Sequence, residues 1–154
     1  MTNTQPVAVV TGGSKGIGRA IAAALLESGR HVLITGRAEA SLRAAVDDLG
    51  PVARQAGVRV EWFAGDVGRE HDAHAMIEAA VERLGGLDIL INNAAVGIIV
   101  ETASMTAEQW RETIDTNLGG VFYCTHAAIP HLRRRGGGWI INISSMATTD
   151  SVGK

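Results

Sequence analysis

Residues 7–18 constrain the fold more than any other stretch, because they combine a buried strand, a glycine-rich turn and the start of a helix. Val7–Val10 is an uninterrupted apolar run, which is typical of a strand buried on both faces. Gly12, Gly16 and Gly18 follow, and glycine permits both a sharp turn and a close approach of the backbone to a ligand. The free N–H groups of the next helix favour a phosphate at that point. The segment therefore predicts a nucleotide-binding turn.

The glycine spacing separates the known classes of nucleotide-binding loop. It does not fit Gly-x-Gly-x-x-Gly, the dinucleotide fingerprint. A P-loop is excluded as well, because Arg19 and Ala20 stand where Lys and Ser or Thr are required. The residues present here, with three residues between the two groups, are Thr11-Gly12 and Gly16-Ile17-Gly18. A purely structural turn is the alternative, and the position between a buried strand and a helix favours a nucleotide.

Composition and charge narrow the class of protein. The 154 residues are 46% apolar and 19% charged, which indicates about one globular domain. A net charge of −2 argues against a nucleic-acid partner or a membrane surface. No apolar run is long enough to cross a bilayer, and Met1–Pro6 is too short and polar for a signal peptide. The single cysteine, Cys124, excludes an intrachain disulfide, so we expect a cytoplasmic protein.

Apolar runs alternate with helical patterns along the chain. The predicted strands, in chain order, are Val7–Val10, His31–Thr35, Val58–Phe63, Asp88–Ile91 and Trp139–Ile143. The predicted helices are 16–28, a second from Glu39 with a break or kink at Gly50-Pro51, 70–84, and one from Thr106 to Arg133. Helix 1 is expected to bury the face carrying Ile17, Ile21, Ala24 and Leu25. The last helix begins with a capping box of Thr106 and Gln109.

This alternation predicts an α/β fold with a doubly wound parallel sheet and strand order 3-2-1-4-5. In such a sheet the ligand crevice lies at the C-terminal ends of strands 1 and 4. Polar or glycine-containing segments follow every predicted strand, namely the glycine turn, Gly36-Arg37, Asp66, Asn92-Asn93 and Ser144-Ser145. We therefore expect one site at this edge of the sheet.

The glycine turn and these segments resemble the short-chain dehydrogenase/reductase family along essentially the whole chain. The resemblance implies a Rossmann-type NAD(P)-binding domain over residues 1–154. It also implies a set of cofactor-binding residues, namely Gly12, Ser14, Lys15, Gly16, Ile17, Gly18, Arg37, Asp66, Val67, Asn93 and Ala94. Asp66-Val67 looks like the pair that meets the adenine ring, with a turn or N-cap role for Asp66 as the alternative. Ala95 departs from the family's Asn-Asn-Ala-Gly.

Two further residues match positions of the family's active site. Asn117 lies in a segment that resembles the one supplying a helical asparagine, which can hold a water in a proton relay. An ordinary helical asparagine is the alternative. Ser145 matches the serine that would hydrogen-bond the substrate carbonyl and the developing oxyanion. No Gly-x-Ser-x-Gly surrounds it, so it is not interpreted as a nucleophile. The histidines do not cluster with other ligands, and we expect no metal site.

The end of the second strand predicts NADP rather than NAD as the cofactor. An NAD site usually places a carboxylate there for the ribose 2′-hydroxyl, and Thr35-Gly36-Arg37 contains no acid. Arg37 can hold a phosphate with its planar guanidinium, and Lys15 can add a second charge. Two solvated cations are the alternative.

The family's catalytic Tyr-x-x-x-Lys, expected after the serine segment, has no counterpart in this sequence. Tyr123 lies upstream, and no tyrosine precedes Lys154 at the required spacing. We expect the domain to be incomplete at its C-terminus and inactive as 154 residues. Its complete form would be a homo-oligomeric oxidoreductase that transfers hydride between NADP(H) and a small alcohol or carbonyl substrate. A non-catalytic nucleotide-binding or interaction module is the alternative.

Overall fold

The computed structural model describes residues 5–145, and a five-stranded parallel sheet forms its centre. Its strands are β1 (Val7–Thr11), β2 (His31–Gly36), β3 (Val60–Ala64), β4 (Ile89–Asn92) and β5 (Trp139–Asn142). The helices are α1 (Gly16–Glu27), α2 (Glu39–Ala56), α3 (Glu70–Leu84), α4 (Ala107–Ile114) and α5 (Gly120–Arg134). The strand order β3-β2-β1-β4-β5 confirms the predicted Rossmann-type doubly wound sheet.

β1 lies in the middle of the sheet and is buried along its whole length, as its apolar sequence predicts. Val7 and Val9 belong to the core cluster that packs against α3 and α5. Ala8 and Val10 point to the other face and belong to the cluster that packs against α1 and α2. Because successive residues of a strand face opposite sides, one apolar run serves both cores.

The buried face of α1 differs from the prediction. Gly18, Ala22 and Leu26 are its buried residues, and Ile17 is 65% exposed. A Cβ at Gly18 would overlap the carbonyl oxygen of Gly12, so only glycine lets the helix pack this closely against the turn. The innermost row of α1 therefore begins with the small residues Gly18 and Ala22, whereas the prediction from hydrophobic spacing placed Ile17 and Ile21 there.

Of the break or kink predicted at Gly50-Pro51, the break is wrong, because α2 continues through this pair to Ala56. Its buried residues lie on both sides of the proline, and they are Leu42, Ala45, Leu49 and Ala53. Packing of this continuous face outweighs the loss of one backbone donor. The helix ends at Gly57, which has a φ of 68°.

The single helix predicted from Thr106 to Arg133 is divided. α4 starts with the predicted capping box, in which Thr106 and Gln109 exchange hydrogen bonds of 2.9 and 3.2 Å. A π-helical segment, Asp115–Gly119, then joins α4 to α5. Gly120 follows it and packs so closely that a Cβ there would come within 2.7 Å of the Val67 side chain. The wider turn thus lies where the chain contacts the loop after β3.

Several large apolar side chains remain exposed on two surfaces. Trp110, Leu118 and Phe122 on the α4–α5 side are 58–64% exposed. Trp139 and Ile141 on the edge strand β5 are 65% and 45% exposed. Such patches favour association with another protein surface. No helix within residues 5–145 has the length and apolarity required to cross a membrane.

Candidate cofactor site

A cavity of about 460 Å³ opens where the C-terminal ends of β1 to β4 meet. All of the predicted cofactor-binding residues line it, and they are Gly12, Ser14, Lys15, Gly16, Ile17, Gly18, Arg37, Asp66, Val67, Asn93 and Ala94. The lining also includes residues outside that prediction, namely Gly36, Ala38, Ser41, Gly65, Ala95, Val96 and Thr116. The parallel sheet thus brings together five separate segments of the chain.

The turn after β1 needs glycine because a Cβ would clash at some positions and φ is positive at others. Gly12 has a φ of 66°, and a Cβ there would come within 2.9 Å of the Ala94 backbone. A Cβ at Gly18 would come within 2.5 Å of the Asn93 side-chain nitrogen. Gly16 has a φ of 55°, which L-residues rarely adopt, and open space surrounds it. The backbone is therefore exposed to the cavity at Gly16 while being closely packed at Gly12 and Gly18.

The N-terminus of α1 points this exposed backbone at the cavity. Lys15 is the N-cap residue, and no side chain in the described part of the chain caps the helix there. The first turn contains no acid either, within the same residues. Uncapped N–H groups and the positive end of the helix dipole suit a phosphate. The Lys15 side chain adds a positive charge to the same wall.

Thr11 and Asn93 join the ends of β1 and β4 beneath the turn. The Thr11 hydroxyl accepts hydrogen bonds from the N–H groups of Asn93 and Ala94, each 3.0 Å long. It also donates to the Ile91 carbonyl at 3.3 Å. The Asn93 amide donates to the carbonyls of Thr11 and Gly12 at 2.9 and 3.2 Å. Asn93 thus holds the turn in place through its side chain.

Asp66 holds the loop after β3. Its carboxylate accepts from the N–H of Gly68, and its own N–H donates to the Asp72 carboxylate, both at 3.0 Å. That backbone hydrogen bond lowers the pKa of Asp72. The N-cap of α3 is Arg69, so the N-cap alternative for Asp66 is wrong and a turn role is present. Contact of Asp66 and the largely buried Val67 with an adenine stays a prediction.

Arg37 lines the cavity directly after β2 and is 60% exposed. Its guanidinium Nη1 lies 3.3 Å from Oε1 of Glu112, which belongs to α4. Glu39 begins α2, as the sequence predicts, and its carboxylate contacts Arg43 at 2.6 and 2.9 Å. Glu39, the acid nearest in sequence to the end of β2, is therefore paired with an arginine of its own helix, and it does not line the cavity.

The two predicted catalytic residues lie outside the cavity lining. Asn117 lies in the π-helical segment, where its amide oxygen accepts from the N–H of Val96 at 2.8 Å. Its amide nitrogen donates to the Val96 carbonyl at 2.9 Å, so the side chain fastens the loop after β4. Ser145 is exposed beyond β5 and is the last described residue. The catalytic roles of both residues stay predictions.

Within residues 5–145, neither the cysteine nor a metal-ligand cluster offers a competing site. Cys124 is buried in α5, and burial raises the pKa of its thiol to about 12, which keeps it protonated and inert. Among residues 5–145, no group of three or more His, Cys, Asp or Glu side chains could hold a metal ion.

Residues 6–154 match the protein-family model described as short chain dehydrogenase. This chain belongs to the short chain dehydrogenase family. It is 42% identical over 142 residues to an uncharacterized oxidoreductase of Methylorubrum extorquens, covering 92% of this chain and 55% of that relative.

Solved structures of this family have the same fold. The chain matches a variant of actinorhodin polyketide ketoreductase with NADPH at a TM-score of 0.88 and 36% identity, covering 96% of this chain and 56% of that one. It matches L-sorbose reductase from Gluconobacter frateurii, complexed with NADPH and L-sorbose, at a TM-score of 0.86 and 33% identity. That match covers 94% of this chain and 54% of the reductase. The chain spans about half the length of the curated relatives that it matches.

Three hydroxyl side chains of this short chain dehydrogenase, at the cavity or beneath it, were given no role by the sequence prediction. Thr11 is a polar residue at the end of an apolar strand and is only 2% exposed, a position that itself indicates a buried hydrogen bond. Ser41 lies in the first turn of α2, just after Arg37 and the N-cap residue Ala38, so its place at the predicted helix start could have put it near the cavity. Thr116 gives no such signal, because the π-helical segment determines its position.

Proposed function

We propose that this short chain dehydrogenase uses NADP(H) to transfer a hydride to or from a small alcohol or carbonyl substrate. The observation that carries the proposal is the pair of cations, Lys15 and Arg37, in the same cavity as the glycine turn. The engagement of Glu39 with Arg43 supports the choice of NADP, because an NAD site usually uses a carboxylate at that position. The NADPH in the structures of two relatives supports it as well.

The residues of the cavity fit such a cofactor. The N–H groups at the start of α1 would bind the diphosphate, and Gly16, which is surrounded by open space, leaves the backbone room for it. Arg37 and Lys15 would bind a phosphate on the 2′-oxygen of the ribose. Asp66 would accept a hydrogen bond from the adenine amino group. A bound nicotinamide cofactor supplies or accepts the hydride, and the protein contributes binding and orientation.

Two side chains outside the cavity lining would serve the substrate. The Ser145 hydroxyl would donate to the substrate carbonyl oxygen, where negative charge develops during reduction. The Asn117 amide oxygen has a second lone pair beyond its bond to Val96, and that lone pair could accept from a water in a proton relay. The complete enzyme would work as a cytoplasmic homo-oligomer, which would cover exposed apolar side chains such as Phe122.

Calorimetric titration of the purified protein with NADPH and NADH tests the cofactor assignment. We expect NADPH to bind at least about tenfold more tightly, because hydrogen bonds to charged groups contribute about 1.5–3 kcal/mol. Arg37→Ala should remove most of that difference, whereas Arg54→Ala, an arginine in the last turn of α2, should leave it unchanged. Equal or tighter binding of NADH by the unaltered protein would refute NADP dependence.

A non-catalytic nucleotide-binding module is the second candidate, favoured by the position of Asn117 and Ser145 outside the cavity lining. The two functions differ in turnover. A chain with the full length of the curated relatives should, as an enzyme, oxidise NADPH with at least one member of a panel of ketones, aldehydes and quinones, whereas residues 1–154 alone should not. A binding module should bind NADPH with the same affinity and leave it unchanged with every member of the panel.

A further inference from the structure

An ion pair joins Arg37, in the cavity wall after β2, to Glu112 on α4, which is far away in sequence. Arg37 belongs to the wall that follows β2. Glu112 lies on α4, four residues before Thr116, which contributes to a different wall. Four residues correspond to about one helical turn, so the two residues lie near each other along the segment. The pair therefore connects the β2 side of the cavity to the helix that leads into the segment containing Thr116.

The pair is open to solvent and can exchange partners. The two side chains are 60% and 48% exposed, and the 3.3 Å separation is long for a charge-assisted hydrogen bond. Exposed pairs of this kind contribute little to the free energy of unfolding, and salt screens them. Breaking the contact with Glu112 therefore costs little free energy when Arg37 binds a more highly charged anion.

The other charged and polar groups near Arg37 clarify what Glu112 does. Lys15 lines the same cavity and adds a positive charge, and Ser41 offers a hydroxyl. Glu39 is occupied by Arg43 on α2. Among the described residues, Glu112 is the acid that contacts the Arg37 guanidinium, so a phosphate bound by Arg37 would come close to its carboxylate.

We propose that Glu112 is a specificity-determining residue that competes with a ribose 2′-phosphate for Arg37. This inference rests on the proposed NADP site. A 2′-phosphate carries more than one negative charge at neutral pH, so a neighbouring carboxylate repels it while occupying the same guanidinium. A nucleotide without that phosphate does not encounter the competition. Glu112 therefore reduces the preference of the site for phosphorylated over unphosphorylated nucleotides.

The expected size of the effect follows from the exposure of the pair. Two charges about 6 Å apart in water interact weakly, and a Debye length of about 8 Å at physiological salt weakens them further. Removing the Glu112 charge should therefore tighten binding of a 2′-phosphorylated nucleotide by about three- to tenfold at low salt. The gain should shrink as the salt concentration rises.

Calorimetry with adenosine 2′,5′-bisphosphate and adenosine 5′-monophosphate tests the proposal on the purified protein. Glu112→Gln should bind the bisphosphate about three- to tenfold more tightly and the monophosphate within about twofold of the unaltered protein. Glu108→Gln is the matched control, because Glu108 lies one turn earlier on α4 and contacts Arg111 instead. That control removes the same charge and should change neither affinity.

Combining Glu112→Gln with Arg37→Ala distinguishes direct competition from a general charge effect. The gain should disappear in the double variant, because the phosphate then has no guanidinium to share. Unchanged or weaker bisphosphate binding by Glu112→Gln would overturn the proposal, as would a gain that persists without Arg37. If the unaltered protein binds neither the bisphosphate nor NADPH, the proposed function fails along with it. If it binds both and Glu112→Gln matches Glu108→Gln, only the present proposal fails.

Discussion

The turn after β1 and the π-helical segment both shape the cavity, but they are held in place by different means. In the turn, Gly12 and Gly18 pack so closely against neighbouring atoms that a Cβ would clash, and Asn93 and Thr11 hold the backbone beneath them by hydrogen bonds. The π-helical segment depends on the side-chain amide of Asn117, which reaches 21 residues back along the chain to Val96. Glycine spacing reveals the first arrangement in the sequence, whereas a single amide gives little sign of the second.

The two regions also differ in burial, and this difference sets the expected energies. Thr11 is 2% exposed, and a buried polar group that loses its partner costs about 1–3 kcal/mol. Asn117 is exposed, so water can replace its partners at a smaller cost. A change in the turn should therefore damage both folding and nucleotide binding, while a change at Asn117 should mainly loosen one loop.

Gly18→Ala should have the largest effect. The new Cβ would overlap the Gly12 carbonyl and come within 2.5 Å of the Asn93 amide nitrogen. The carbonyl is backbone, and two hydrogen bonds hold the amide in place. We expect a loss of about 2–3 kcal/mol in the free energy of unfolding. NADPH affinity should fall at least about tenfold, because α1 and its N–H groups would shift. Urea denaturation and calorimetry measure the two quantities.

Gly97→Ala is the control for that substitution. A Cβ at Gly97 meets open space, and its φ lies outside the left-handed region. Its free energy of unfolding should stay within about 0.5 kcal/mol of the unaltered protein. If Gly18→Ala proves as stable as Gly97→Ala, the turn is not held by close packing.

Asn117→Ala should have an intermediate effect. It removes both hydrogen bonds to the Val96 backbone, and we expect a loss of about 1 kcal/mol in the free energy of unfolding. The Val96 amide should exchange its hydrogen severalfold faster, as measured by hydrogen–deuterium exchange. Gln55→Ala replaces an exposed amide on α2 and should leave that rate unchanged. Unaltered exchange at Val96 in Asn117→Ala would show that the amide does not hold the loop.

Protonation of Asp72 should have the smallest effect. The N–H of Asp66 donates to this carboxylate and lowers its pKa in the folded state. The bond therefore contributes stability above the ordinary aspartate pKa, and that contribution is lost as the pH falls through the lowered value. Asp72→Asn keeps an acceptor oxygen but does not titrate. Between pH 5 and pH 3, the unaltered protein should lose slightly more free energy of unfolding than Asp72→Asn, and parallel curves would contradict this.

The sequence predicted the sheet and most of the cavity because both depend on short local patterns. Five apolar runs, each followed by glycine or polar residues, predict five parallel strands. The rule of right-handed crossovers then predicts their order, which the structure has. The same order places the C-terminal ends of the strands side by side. Gly12, Arg37 and Asp66 could thus be assigned to one cavity although dozens of residues separate them.

The remaining features depend on packing between segments that are distant in sequence. Ile17 is apolar and was predicted to be buried, yet it is exposed. The helix α1 packs against the turn through Gly18 instead, so closely that no Cβ fits at that position. Pro51 normally ends a helix, but the buried face of α2 continues beyond it. The partner of Asn117 is set by the π-helical turn, which no local pattern in the sequence indicates. Each of these outcomes is a tertiary effect that overrides a local preference.

A crystal structure of the protein with NADP⁺ tests the central claim most directly. The account predicts diphosphate oxygens within about 3 Å of the N–H groups of Gly16–Gly18 at the start of α1. It also predicts the 2′-phosphate against the Arg37 guanidinium, with Glu112 displaced from its present contact. A nucleotide bound elsewhere, or one whose 2′-phosphate points away from both Arg37 and Lys15, would contradict the account.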